Sequence, residues 1–198
     1  MGCGRSPLAG WINVDLQRLP GVDRKLDVRR GIPYHDLEAI YAEHFLEHLA
    51  LGEAIGFLRE CRRALAAGGT LRLSTPNLVW VWWTHDVRLL PEGADELRAD
   101  RGLEANRAFY GWQHRFLWNR ELLAEALAAC GFERVRFVAY GESDDPALRG
   151  LEQHETWLET PGIPHVLVVE ATAGRFDGAR FDAFVERARR RFLDHQKG

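Results

Sequence analysis

Glycines and carboxylates stand at the ends of short apolar segments near the start of the chain. Gly2-Cys3-Gly4 carries little side-chain bulk, which lets the backbone approach a ligand closely. Asp15 ends the alternating segment 11–16, where a carboxylate can accept both hydroxyls of a ribose. Asp27 is placed to accept a hydrogen bond from an exocyclic amine. Each acid taken singly is more often a cap or turn residue, but the ordered series favours a nucleoside site.

A second group of reactive side chains is the segment His44-Phe45-Leu46-Glu47-His48. H-x-x-E-H is the signature of inverted zincin peptidases, in which two histidines on one helical face ligate zinc and the glutamate acts as base. Here His44 directly follows an apolar strand, whereas the peptidase motif requires an established helix. The other interpretation is a helix start, with Glu47 favoured by the N-terminal dipole. We therefore predict no metal site and keep a zinc peptidase using His44, Glu47 and His48 as an alternative.

The segment 77–118 mixes aromatic rings with cationic side chains. Trp80 and Trp83 are three positions apart, on one helical face, and such an apolar stripe is more often core than site. The interleaved histidines and arginines nevertheless suit a planar, sugar-like or anionic substrate. The polar stretch 142–155, with Arg149, His154 and Glu155, could form the other wall of the pocket. The predicted substrate-binding residues are Asn77, Trp80, Trp83, Tyr110 and Arg115.

The elements that must position these residues alternate between strands and helices. Strands are predicted over 11–16, 26–28, 39–42, 70–74, 135–138 and 166–169, and helices over 51–67, 119–131 and 176–192. Gly68-Gly69 is predicted to end the first helix, and Asn119 to cap the second. The pattern favours an α/β domain with a mostly parallel twisted sheet and helices on both faces. In such sheets ligands bind beyond the carboxyl ends of the strands.

Composition sets the class of protein and its expected partners. The chain has 198 residues, with 46% hydrophobic and 28% charged residues and a net charge of −3. This balance offers no global basic field for nucleic acid or anionic lipid. The longest uncharged stretch, 73–84, is shorter than the roughly 20 residues of a membrane span. We expect no nucleic-acid or membrane partner, and three scattered cysteines favour a reducing cytoplasm.

Over residues 1–172 the chain resembles the class I S-adenosylmethionine-dependent methyltransferases, specifically the small type 11-like group. The resemblance implies a seven-stranded sheet of order 3-2-1-4-5-7-6 with strand 7 antiparallel. It implies a methyltransferase domain over 1–172 with an aromatic substrate-covering insert at 77–118, followed by a C-terminal amphipathic helix in 173–198 packed on the domain. The matching segments are GCGRSPLAGWINVDL (2–16), AIYAEHFLEHL (39–49), FLRECRRALAAGGTLRLSTPN (57–77), WNRELLAEALAACGFERVRFV (118–138) and HVLVVEA (165–171).

S-adenosylmethionine is the cofactor that the resemblance implies. Gly2, Cys3 and Gly4 would lie under its methionine part, with Asp15 and Leu16 at the ribose. Asp27 and Val28 would flank the adenine, and Glu43 and His44 would close the methionine side. In the family the glycine motif follows a central strand, whereas here Met1 alone precedes it, so we expect that first strand to be missing.

The predicted reaction is methyl transfer to a small-molecule or saccharide-linked acceptor. The sulfonium is already activated, so the protein mainly positions the acceptor and excludes water. Where a general base is needed, the candidates are His44, His85 and His114, since histidine titrates in the useful range. A non-catalytic, degenerate cofactor-fold protein that acts as a partner or scaffold is the main alternative.

Overall fold

Two separate β-sheets and five α-helices make up the part of the chain that the computed structural model describes, residues 1–154, 162–192 and 194. The small sheet pairs β1 (Val14–Asp15) with β2 (Arg24–Lys25) in parallel. The main sheet contains β3 (Leu37–Glu43), β4 (Leu65–Pro76), β5 (Phe132–Val138) and β6 (Val166–Ala173). The helices are α1 (Leu51–Ala64), α2 (Leu78–Thr84), α3 (Asp95–Asn106), α4 (Arg120–Ala129) and α5 (Gly178–Arg191).

The main sheet is mixed, which corrects the expectation of a mostly parallel one. Its order is β3-β4-β6-β5, with β3 parallel to β4 and with β6 antiparallel to both of its neighbours. This order corresponds to the 4-5-7-6 half of the expected sheet, with β6 in the place of the antiparallel strand. β1 and β2 pair with each other and not with this sheet, so a continuous seven-stranded sheet is not observed.

Apolar periodicity explains how the helices cover the sheet. Ala54, Phe57, Leu58 and Cys61 form one buried face of α1, as the helical spacing predicts. Asn119 caps α4, because its side-chain oxygen accepts a hydrogen bond from the Leu122 N–H at 2.9 Å. Among the described residues, none of the helices combines the length and the apolar character that crossing a bilayer requires.

Two predicted element boundaries are wrong for identifiable physical reasons. α1 ends at Ala64, and Gly68-Gly69 lies inside β4 instead of ending the helix. A Cβ at Gly69 would stand 2.8 Å from the Leu37 carbonyl oxygen, beside the irregular pairing of β3 with β4, so close strand approach requires this glycine. The predicted strand 26–28 is instead the start of a 3-10 turn, Val28–Arg30.

Replacing Gly69 by alanine is expected to lower the free energy of unfolding by about 1–3 kcal/mol, since the new methyl group overlaps backbone of β3. Gly56→Ala is the matched control. Gly56 lies on the exposed face of α1 with open space around its Cβ position, so alanine there is expected to stabilise the helix by up to about 1 kcal/mol. Urea denaturation measures both changes, and equal effects of the two variants would contradict the assignment of Gly69 to a tight contact.

A buried ionic network fastens the segment 142–152 to the sheet. Arg72 of β4 is fully buried, and its Nε and Nη2 donate to the Glu152 carboxylate at 2.8 and 2.9 Å. Its Nη1 donates to Glu170 of β6 at 2.6 Å and to the Glu142 carbonyl oxygen at 3.0 Å. Because Arg72 holds Glu152 against the sheet, it also fixes the position of the next residue, Gln153.

Candidate functional site

A cleft of about 290 Å³ opens at the carboxyl end of β3, beside the loop that precedes β1. Its size is close to the lower end of the roughly 300–1,000 Å³ found for ligand pockets. It is lined by residues 1–6, by Leu8 and 11–13 of the next loop, by Tyr41, Glu43 and His44 at the end of β3, and by Gln153 and His154.

The segment 1–4 bridges β3 and β1 and forms one wall of the cleft. The Met1 nitrogen donates to the Tyr41 carbonyl oxygen at 2.6 Å, and the Cys3 N–H donates to that of Val14 at 3.2 Å. Gly4 has a φ of +53°, and a Cβ at this position would meet nothing within 4 Å. The backbone of Gly4 is therefore bare toward the cleft, so a ligand can approach it closely.

Asp15 anchors this glycine segment. Its Oδ2 accepts a hydrogen bond from the Gly4 N–H at 2.9 Å, and its Oδ1 accepts one from the Gln17 N–H at 2.8 Å. An ionised carboxylate has about four acceptor sites, so capacity for a ligand hydroxyl remains. The neighbouring Leu16 is half exposed. The ribose role of Asp15 and Leu16 stays a prediction.

Glu43 joins the end of β3 to a segment far along the chain. Its carboxylate accepts hydrogen bonds from the backbone N–H groups of Gln153 at 2.9 Å and His154 at 3.0 Å. The His154 ring centroid lies 4.6 Å from that of His44. His154 therefore lies on the wall of this cleft, and the predicted role of the stretch 142–155 as a wall of the substrate pocket stays a prediction. Arg149 instead donates to the Ser143 carbonyl oxygen, and Glu155 lies outside the described residues.

Sequence reasoning missed several cleft residues, among them Trp11, Asn13 and Tyr41. The Asn13 amide closes the loop 8–13, since its Nδ2 donates to the carbonyl oxygens of Leu8 at 2.9 Å and Trp11 at 3.0 Å. The buried Tyr41 hydroxyl has no hydrogen-bond partner among the described residues, and burial raises the pKa of this phenol. The alternating pattern of 11–16 concealed the loop, although an asparagine between turn residues is a signal for one.

One of the three candidate bases, His44, lines the cleft. His44 follows β3 with a φ of +43°, and its Nδ1 lies 3.0 Å from Glu47 Oε1. His85 and His114 are not among the lining residues, and burial lowers the pKa of both imidazoles. The structure therefore does not bring the three histidines together around one acceptor position.

The predicted adenine-flanking residues, Asp27 and Val28, are engaged within the protein, and their contact with a cofactor stays a prediction. Asp27 binds Arg29 through two side-chain hydrogen bonds of 2.8 Å and caps the turn Val28–Arg30. The hydrogen bond from Arg29 lowers the pKa of Asp27 to about 2. Val28 is buried in the core, 6% exposed, because the turn directs it inward. Neither residue lines the cleft.

Two predicted substrate-binding side chains are engaged within the protein. Asn77 caps α2, with its Oδ1 accepting from the Val79 N–H at 3.0 Å and its Nδ2 donating to the Pro164 carbonyl oxygen at 2.8 Å. Its amide therefore acts as a structural cap, and its contact with a substrate stays a prediction. Arg115 donates to the Glu53 carboxylate at 2.6 Å on the surface.

The predicted aromatic residues divide between interior and surface. Trp80 is partly buried, with its ring centroid 4.3 Å from that of His165. Trp83 and Tyr110 are exposed by 48% and 74%. None of the three lines the cleft, so their contact with a substrate remains a prediction.

The arrangement for a zinc peptidase is not formed. His44 has a positive φ and precedes the 3-10 turn Leu46–His48, which is three residues long. His44 and His48 are thus not presented from one helical face, which the H-x-x-E-H motif requires.

Comparisons with known proteins concern the fold. No protein-family model matches the chain, and no curated protein matches it. A crystal structure of an S-adenosylmethionine-dependent methyltransferase from Archaeoglobus fulgidus is similar at a TM-score of 0.50 and 14% identity, over 80% of this chain and 74% of that one. A possible exported protein from Bordetella parapertussis is also 14% identical, at a TM-score of 0.46, over 76% of this chain and 43% of that one.

The chain spans less than half the length of the Bordetella protein. Sequence identities of 14% show a similarity of fold and do not by themselves show a shared function. This molecule has an α/β fold similar to that of S-adenosylmethionine-dependent methyltransferases, with a mixed four-stranded sheet.

Proposed function

We propose that the protein is a class I, type 11-like methyltransferase that binds S-adenosylmethionine in the cleft at the carboxyl end of β3. The proposal rests on one observation above all. The backbone of residues 2–4, which the Asp15 carboxylate anchors through the Gly4 N–H, lines one hollow together with Glu43 and His44. Ligands of open α/β sheets bind at this end of the strands.

The chemistry of the cleft residues fits this cofactor. Gly4 permits close approach of the methionine part, and the Glu43 carboxylate attracts its ammonium and sulfonium charges. The Trp11 ring offers a flat apolar face to the adenine, a role proposed here in place of Asp27 and Val28. The Tyr41 hydroxyl, which lacks a partner among the described residues, can bond to a polar ligand atom.

His44 is the residue best placed to accept a proton from the acceptor. Bound S-adenosylmethionine would supply an activated methyl group on its sulfonium. The Glu47 carboxylate accepts from Nδ1 of His44, which leaves Nε2 of the neutral ring as the basic nitrogen. The 142–154 segment, fixed by Arg72 and Glu43, closes one side of the cleft and so limits access of water.

We propose a small-molecule or saccharide-linked acceptor covered by the aromatic insert. Trp82, Trp83, Tyr110 and Trp112 are 48–74% exposed in this insert, and aromatic faces of this kind suit the apolar face of a sugar ring. All three cysteines are free, which fits our proposal of a reducing cytoplasm.

Calorimetric titration of the full chain with S-adenosylmethionine and S-adenosylhomocysteine tests the proposal. We expect one binding site per chain, with a dissociation constant between about 1 μM and 1 mM. Methyl transfer to saccharide acceptors then separates an enzyme from a degenerate cofactor-binding protein, which would bind without turnover. Absence of binding to both compounds would contradict the proposed function.

A further inference from the structure

We propose that Glu47, His48 and His114 bind a divalent transition-metal ion beside the cofactor cleft. Each of the three side chains offers one ligand atom, and these atoms all lie within 4.8 Å of one another. Ligands held about 2.1 Å from one ion can stand up to about 4.2 Å apart. A small rotation of the side chains therefore brings the three atoms to the spacing of metal ligands.

Backbone contacts hold the two contributing segments together. Glu47 and His48 are adjacent in the turn that follows β3, whereas His114 follows the π-helical turn Arg107–Gly111. The backbone N–H groups of Arg115 and Phe116 both donate to the Glu47 carbonyl oxygen, at 2.7 and 3.2 Å. Because His114 lies next to these bonds, its ring stays beside His48, with ring centroids 5.2 Å apart.

The His114 ring is oriented as a metal-binding histidine usually is. Its Nδ1 lies 2.7 Å from the Ala108 carbonyl oxygen, which accepts the Nδ1 proton. That bond leaves Nε2 with a free lone pair, and a backbone carbonyl in this position is a common outer partner of metal-ligating histidines. Ala108 belongs to the π-helical turn, a type of irregularity that is frequent at functional sites.

Glu47 supplies a buried carboxylate, and a nearby positive charge would offset the cost of burying it. The residue is fully buried, and its two carboxylate oxygens lie 3.0 Å from His44 Nδ1 and 3.1 Å from the Thr75 hydroxyl. A buried carboxylate is normally paired with a cation or coordinates a metal. The contacts from His44 and Thr75 orient it as outer partners do in metal sites.

Two imidazoles and one carboxylate favour ions of the Mn²⁺-to-Zn²⁺ series over Mg²⁺ and Ca²⁺, which prefer oxygen ligands. Three protein ligands leave positions for water or a substrate oxygen, and His48 and His114 are only partly buried, so solvent can reach the site. If the proposed function holds, the ion would bind an acceptor oxygen near His44 and lower the pKa of its hydroxyl. His114 would then hold the ion and would not act as a base.

Metal titration of the full chain, after treatment with EDTA and dialysis, tests this site without any cofactor. Calorimetry with Zn²⁺, and visible absorption with Co²⁺, are expected to show one ion bound per chain. His48→Ala and His114→Ala are expected to weaken binding at least about tenfold each. The matched control is His35→Ala, because His35 is an exposed histidine that contacts Arg63 outside the cluster.

His48→Ala keeps the test independent of folding, since the side chain is only partly buried and lies outside the hydrophobic core. The site is refuted if the wild-type chain binds neither ion, if Mg²⁺ binds more tightly than both, or if both variants bind as tightly as His35→Ala. S-adenosylmethionine binding by the same metal-free protein separates the two proposals. Retained cofactor binding with no metal binding would refute this site alone.

Discussion

Replacing Gly4 by valine is expected to weaken S-adenosylmethionine binding at least about 100-fold, which corresponds to about 2.7 kcal/mol. The φ of +53° is strained for a β-branched residue, and the new side chain would extend into the open space that the cofactor needs. The loss should appear as an increased dissociation constant in calorimetry, with an unchanged far-UV circular dichroism spectrum.

Gly10→Val is the matched control for this change. Gly10 also has a positive φ, +81°, and a Cβ there also meets nothing within 4 Å, but Gly10 is not among the residues that line the cleft. This variant therefore carries similar backbone strain and should bind the cofactor like the wild type. Equal binding by the two variants would mean that the cofactor does not approach Gly4.

The second large effect is expected from Arg72→Leu, which should lower the free energy of unfolding by about 3–5 kcal/mol. The change leaves the buried Glu152 carboxylate without the guanidinium that donates to both of its oxygens. It also removes the tie between β4 and the segment 142–152, so Gln153 and His154 should separate from Glu43. Urea denaturation measures the stability, and cofactor titration of the folded fraction measures the effect on the cleft.

Arg88→Leu removes an arginine from an exposed pair and serves as the control. Arg88 bonds to Asp86 at 2.6 Å, but its side chain is 86% exposed. Exposed ion pairs contribute little to stability, so this variant should unfold at the wild-type urea concentration. If Arg72→Leu behaves in the same way, the buried network does not hold the segment.

Local signals in the sequence were enough to predict the elements whose apolar residues recur with a strong period. The buried stripe of α1 and the Asn119 cap of α4 follow from residue spacing and side-chain chemistry alone. The apolar run that begins at Val166 predicted a buried strand, and β6 is buried along most of its length. Its antiparallel pairing came from the family resemblance, because strand direction is not encoded in a pattern of burial.

Contacts between distant segments could not be predicted from local pattern. Arg72 occupies a polar position of an alternating strand, which normally indicates an exposed side, yet partners 80 and 98 residues away surround it. The residues around Arg72 in the sequence do not indicate that Glu152 and Glu170 will surround it.

The H-x-x-E-H segment illustrates the same limit at the candidate site. Its residue types draw attention to Glu47 and His48, two of the three side chains that we propose as metal ligands. The positive φ of His44 removes it from the turn that carries them, and His114, 66 residues beyond His48, stands beside them instead. A motif therefore indicated suitable ligands, whereas the fold determined which of them meet.

A crystal structure of the full chain grown with S-adenosylhomocysteine is the most direct test of where the methyl donor binds. We expect electron density for the nucleoside between Trp11 and the backbone of Gly4, with the amino-acid part near Glu43. Density for the ligand elsewhere, or an empty cleft at saturating ligand in a form whose lattice leaves the cleft open, would contradict this placement.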